Sequence, residues 1–75
     1  MADPQISNQI RRLRFEHGEM TQQELAERIG VTRQTINAIE LGKYFPSLEA
    51  AFRIAEVFGV SIDEVFRWEG KGRRR

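Results

Sequence analysis

The stretch TQQELAERIGVTRQTINAIELGK, residues 21–43, decides how this chain folds. Leu25, Ala26 and Ile29 recur at helical spacing, and so do Ile36 and Ile39, which puts each set on one face of a helix. Only Gly30, Val31 and Thr32 separate the two segments. Glycine just past a helix end accepts the left-handed conformation, and threonine is a suitable cap for the helix that follows. Two helices joined this tightly, with a glycine at the corner, form a helix-turn-helix. In that arrangement the second helix is able to lie in the major groove of DNA.

Punctuation elsewhere in the chain extends the pattern. Gly18, Gly42 and Gly59 also follow apolar-periodic segments. Thr21 with Glu24 and Ser61 with Glu64 have the spacing of capping boxes, and Asp3-Pro4 and Ser47 fit further helix starts. Five helices are predicted, at about 4–17, 22–29, 33–41, 48–58 and 62–67. Their apolar stripes are Ile6, Ile10 and Leu13; Leu25, Ala26 and Ile29; Ile36 and Ile39; Leu48, Ala51, Phe52, Ile54, Ala55 and Phe58; and Ile62, Val65 and Phe66. The fourth is the most apolar and belongs in the middle, with Val31 and Val60 plugging the core from the turns. No segment reads as a strand or a repeat.

Seventy-five residues make one domain. A domain this small buries only roughly 60% of its unfolded surface, so helix packing assisted by oligomerisation must hold it. With no cysteine, neither a disulfide nor a thiolate metal site is possible, and the single His17 makes no zinc site alone. No metal or cofactor is expected. No apolar run reaches the ~18 residues of a membrane span and no secretory signal is visible, so a cytoplasmic location is expected. Lys and Arg total 12 against 11 Asp and Glu, but four of those cations lie in the closing KGRRR. The body is therefore mildly acidic, and residues 71–75 read as a basic, disordered tail.

Beyond Ile36 and Ile39, the third helix shows Arg33, Gln34, Asn37, Ala38 and Leu41 on its other side. Arg pairs two donors with guanine O6 and N7, Gln and Asn bridge adenine N6 and N7, and a small Ala meets a thymine methyl. The one acid in residues 31–43, Glu40, lies beside the buried isoleucines and needs a partner, for which Arg14 on the first helix is the candidate. Phosphate contacts are expected from the groups that flank the helix. These are Gln22 and Gln23 at the start of the second helix, Thr32 and Thr35 at the start of the third, and Lys43 and Tyr44 after its end.

These residues resemble the phage repressor and Cro-type helix-turn-helix family, also known as the xenobiotic response element family. The matching pieces are IRRLR (10–14), MTQQELAERIGVTRQTINAIELGK (20–43) and PSLEAAFRIAEVFGVSIDEVF (46–66). The resemblance implies an all-α, compact five-helix, lambda-repressor-like DNA-binding domain over 1–70. It also implies a prokaryotic or phage transcriptional regulator, acting as a repressor and as a homodimer on a palindromic operator. By that resemblance Gln22 contacts phosphate, Arg33, Gln34 and Ala38 read bases, Thr35 and Lys43 contact the DNA backbone, and Arg14 and Glu40 form a structural ion pair.

The sequence departs from the family pattern in three places. HGEMTQ carries an extra residue between Gly18 and Thr21, Phe15 replaces a usual charge, and Leu41 replaces a usual polar residue. With Trp68 these apolar residues point to an interface, and a homodimer through Val65, Phe66 and Trp68 is expected. Its third helices would face successive major grooves, about 34 Å apart. An enzyme is not expected, because no nucleophile–base arrangement or glycine-rich phosphate loop is present. Glu16, His17 and Glu19 read as a solvated helix end. The rival reading of the same fold is an antitoxin or protein-interaction module that binds a protein partner.

Overall fold

Five helices and a short two-stranded sheet make up residues 5–70, the part of the chain that the computed structural model describes. The order is β1 (Ile6–Asn8), α1 (Ile10–Glu16), α2 (Gln22–Ile29), α3 (Arg33–Glu40), α4 (Leu48–Phe58), α5 (Ile62–Val65) and β2 (Phe66–Trp68). The expected cap at Asp3-Pro4 and the tail 71–75 lie outside the described residues.

Five of these elements are the expected helices, but the first and last are shorter than the sequence predicts, and the chain is extended beyond each. β1 and β2 pair antiparallel, with Ile6 opposite Trp68, Ser7 opposite Arg67 and Asn8 opposite Phe66. The pairing continues through Gln9 N–H to the Val65 carbonyl (2.8 Å) and Glu69 N–H to the Gln5 carbonyl (2.6 Å). Ile6 and Ile10 share helical spacing, so the sequence places them on one helix. The Asn8 carboxamide decides otherwise: its oxygen accepts from the Ile10 N–H (3.1 Å) and so fixes the helix start there. Its amino group donates to the Ile39 carbonyl at the end of α3 (3.0 Å). Ile6, Phe66 and Trp68 are residue types that suit a pleated surface.

The largest fully buried side chains of the core come one from each helix: Ile10, Leu25, Ile36, Ile54 and Val65. Val31 and Val60 pack against it from the turns. Two expected core residues of α4 lie outside it, since Leu48 is 69% and Phe52 54% exposed while Ala51, Ile54, Ala55 and Phe58 face inward. Val65 needs the opposite correction. Its side chain is wholly inside the monomer, so it has no surface to offer a second subunit.

The caps hold the helices where the sequence places them. Thr21 and Glu24 form a reciprocal capping box (2.9 and 2.8 Å), and the Thr32 and Ser47 hydroxyls accept from the Thr35 and Ala50 N–H groups. Gly30 sits at φ 79°, where its N–H and that of Val31 both reach the Ala26 carbonyl and turn the chain into α3. The longer turn after α1 uses two successive left-handed residues, Gly18 and Glu19. His17 is not merely a solvated helix end. Its Nδ1 lies 2.8 Å from the Leu13 carbonyl, its Nε2 lies 3.0 Å from that of Phe58, and its ring rests against Phe58, tying the ends of α1 and α4.

Arg14 and Glu40 join α1 to α3. The guanidinium donates through Nε to Glu40 Oε2 (2.7 Å) and through Nη2 to Oε1 (3.1 Å), while Nη1 donates to the Met20 carbonyl (2.8 Å). The two side chains are only 15% and 9% exposed. Breaking such a pair leaves an uncompensated charge, whereas replacing both partners with apolar groups removes that cost. Arg14→Met should destabilise the fold by about 3 kcal/mol in urea unfolding, and the double change Arg14→Met/Glu40→Leu should recover more than half of it. Asn8→Ala removes two hydrogen bonds and should cost about 1–2 kcal/mol by the same measurement.

Candidate nucleic-acid interface

α3 rotates its polar residues outward because Ile36 and Ile39 are held in the core. Arg33, Gln34 and Asn37 are exposed, and Ala38 and Thr35 are half-buried beside them. Arg33 forms no ion pair with any of the described residues, which leaves its guanidinium available. The acid of the helix, Glu40, is turned inward onto Arg14. The outer side of α3 therefore offers donors and acceptors with no carboxylate among them.

The flanking groups fall into place around this ridge. Gln22 and Gln23 occupy the first turn of α2, where backbone N–H groups have no intrahelical acceptor. The Gln22 amino group donates to Asn37 Oδ1 (3.2 Å) and to Glu40 Oε1 (3.1 Å), and that of Gln23 donates to Glu27 (2.9 Å). Thr32 and Thr35 share a hydroxyl–hydroxyl hydrogen bond (3.0 Å) at the start of α3. Lys43 and Tyr44 are exposed beyond its end, and Lys43 N–H closes the helix on the Ala38 carbonyl (2.9 Å). Arg11, which the sequence reading passed over, lines the same cleft as Gln22, Asn37 and Leu41. Its signal was present in IRRLR: Arg11 and Arg14 are three residues apart, on one side of α1.

A second surface is apolar. Trp68 is 70% exposed, with its ring so close over Gly70 that a Cβ there would lie 2.3 Å from it. Phe66 is half-buried, and with Ile6, Phe45, Leu48 and Ile62 it lines a groove of about 350 Å³. The sequence points to neither Phe45 nor Leu48 there, since one lies in a loop and helical spacing puts the other on the core stripe of α4. Phe15 and Leu41 are exposed as well.

Comparison with known proteins places this geometry in a family. A family model described as helix-turn-helix matches residues 10–65. An uncharacterised HTH-type transcriptional regulator of Methanocaldococcus jannaschii is 50% identical over 64 residues, covering 85% of this chain and 96% of its own. The cryptic phage CTXphi transcriptional repressor RstR of Vibrio cholerae is 41% identical over 60 residues, covering 80% of this chain and 53% of its own. The crystal structure of a candidate DNA-binding protein from Bacteroides fragilis matches with a TM-score of 0.71 at 26% identity, covering 83% of this chain and 98% of that one. With a turn of three residues between α2 and α3, an outward helix free of exposed acid and these relatives, the chain belongs to the helix-turn-helix transcriptional regulators of the phage repressor and Cro type, a family of DNA-binding proteins.

Proposed function

We propose that the chain acts as a homodimeric repressor in the cytoplasm, binding a palindromic operator with α3 in the major groove. The observation that carries this is the outer side of α3, where Arg33, Gln34 and Asn37 stand exposed while the only acid of the helix is bound inside to Arg14. Arg33 and Gln34, nearest the helix start, reach deepest toward the base edges, with Ala38 allowing close approach. Gln22 and Gln23 hold a phosphate through the free backbone N–H groups of α2, and Thr32, Thr35, Lys43 and Tyr44 contact the neighbouring backbone. The phage repressor among the relatives supports repression as the outcome, and the regulator names favour this reading over an antitoxin or a protein-interaction module. Among the described residues no helix is long and apolar enough to cross a membrane.

One α3 of eight residues reads a single half-site, and a two-fold copy supplies the second. The second copy docks through Phe66 and Trp68, continuous with the groove at Phe45 and Leu48. Together these gather exposed apolar surface on the side where β2 meets α4. Val65 supports Phe66 from within and takes no direct part.

Arg33→Ala should weaken binding to the selected operator by about 1–3 kcal/mol and relax the base preference at one position of each half-site. Lys43→Ala should instead weaken all duplexes alike and lower the salt slope by about one. Titrations at several salt concentrations separate the two outcomes, and uniform weakening by Arg33→Ala would reassign Arg33 to phosphate. Sedimentation at micromolar concentration should show a dimer that Trp68→Ala together with Leu48→Ser converts to monomer; a monomeric wild type would refute the proposed interface.

A further inference from the structure

One half-buried carboxylate sets the direction of a hydrogen-bond chain that ends on the exposed side of α3. Both Glu40 oxygens accept from the Arg14 guanidinium, so that pair leaves acceptors facing Gln22. The Gln22 carboxamide touches Glu40 Oε1 at 3.1 Å, so it must turn its amino group, not its oxygen, toward the carboxylate. That same amino group is 3.2 Å from the Asn37 side chain, so Asn37 must meet it with its oxygen. The reverse orientation of either amide sets donor against donor or acceptor against carboxylate. Asn37 is thus held with Oδ1 inward and Nδ2 outward, and its two N–H donors face solvent from the exposed side of α3. The Gln22 side chain, with its amino group engaged by Glu40 and Asn37, has only its carbonyl oxygen left to present.

We propose that Asn37 is a donor-only reader, locked in that state by Gln22, and that it selects guanine. An asparagine that reads adenine needs oxygen and nitrogen side by side, one accepting from N6 and the other donating to N7. Asn37 cannot present that pair while its oxygen is turned to Gln22. Guanine offers two acceptors, O6 and N7, to the outward amino group. Gln22 therefore acts as a positioning residue for base choice, and its phosphate contact is made by its backbone N–H alone. The inference rests on the DNA-reading role of α3 proposed above.

The experiment is binding-site selection from random duplexes with the wild-type protein and with Gln22→Ala, Asn37→Ala and Asn37→Asp. The wild type should enrich guanine at one position that loses its preference both in Asn37→Ala and in Gln22→Ala. Asn37→Asp, which keeps the inward oxygen and puts an acceptor where the amino group stood, should shift that position toward cytosine, whose N4 is a donor. Replacing the selected guanine by 7-deazaguanine should weaken wild-type binding by about tenfold and leave Asn37→Ala unaffected. If Gln22→Ala lowers affinity for all sequences and keeps the guanine, the lock is refuted; if adenine is enriched at the position that Asn37→Ala relaxes, donor-only reading is refuted. The lock is also read without DNA, from side-chain amide NMR of the free protein. Asn37 should hold a single χ1 rotamer that becomes averaged in Gln22→Ala, and averaging in the wild type would overturn the lock. Enrichment of no sequence, with the rotamer fixed, would instead refute the DNA-reading role and leave the hydrogen-bond chain standing.

Discussion

The carboxylate of Glu40 cannot be left alone inside this protein. It lies beside Ile36 at the end of α3 with only 9% of its side chain exposed, and a charge placed there without partners would destabilise the fold by several kcal/mol, roughly as much as a small domain can spare. Arg14 answers it with a two-pronged contact and uses its remaining nitrogen to hold the Met20 carbonyl, so a single guanidinium ties α1, the turn before α2 and α3 together. The electrostatics of the outer surface follow. Because the acid is satisfied within, the opposite side of α3 has no negative charge to repel a polyanion, although the described body carries more acid than base. A mildly acidic body thereby keeps one locally uncharged or cationic ridge.

Most of the helical frame was legible in the residues because its signals are local. Thr21 with Glu24, Thr32, Ser47, and the glycines at 30 and 59 each act within a turn of the chain, and the observed boundaries of α2 and α4 are those the sequence predicts. The β-clasp was not legible for the opposite reason. Its stabilisation comes from residues near 6 meeting residues near 67, and nothing in the spacing of either segment records the other. Ile6 in particular keeps helical step with Ile10, so the period misleads where Asn8 intervenes. On α4, helical spacing puts Leu48 and Phe52 with the core because apolar character alone does not distinguish a core stripe from exposed apolar surface.

The site shows the same division. That Arg33, Gln34 and Asn37 share a face follows from 3.6 residues per turn and from the burial of two isoleucines. That Gln22 touches Asn37 does not follow from any period, since it depends on how closely α2 and α3 approach across their turn. Arg11 was overlooked within a run of basic residues, where only the position of the neighbouring helices separates a cleft-lining arginine from a solvated one.

The antiparallel clasp has a consequence for how the chain is made. β1 is among the first described residues to be synthesised, yet its partner emerges only about sixty residues later, so this pairing forms after the helices, whose hydrogen bonds each span about four residues. During translation the helices are able to assemble while the leading strand waits with its backbone donors and acceptors open, a template for any extended neighbour on a crowded polysome. β2 thus acts as a latch on β1, and until it shuts the described residues are helical but not yet sealed.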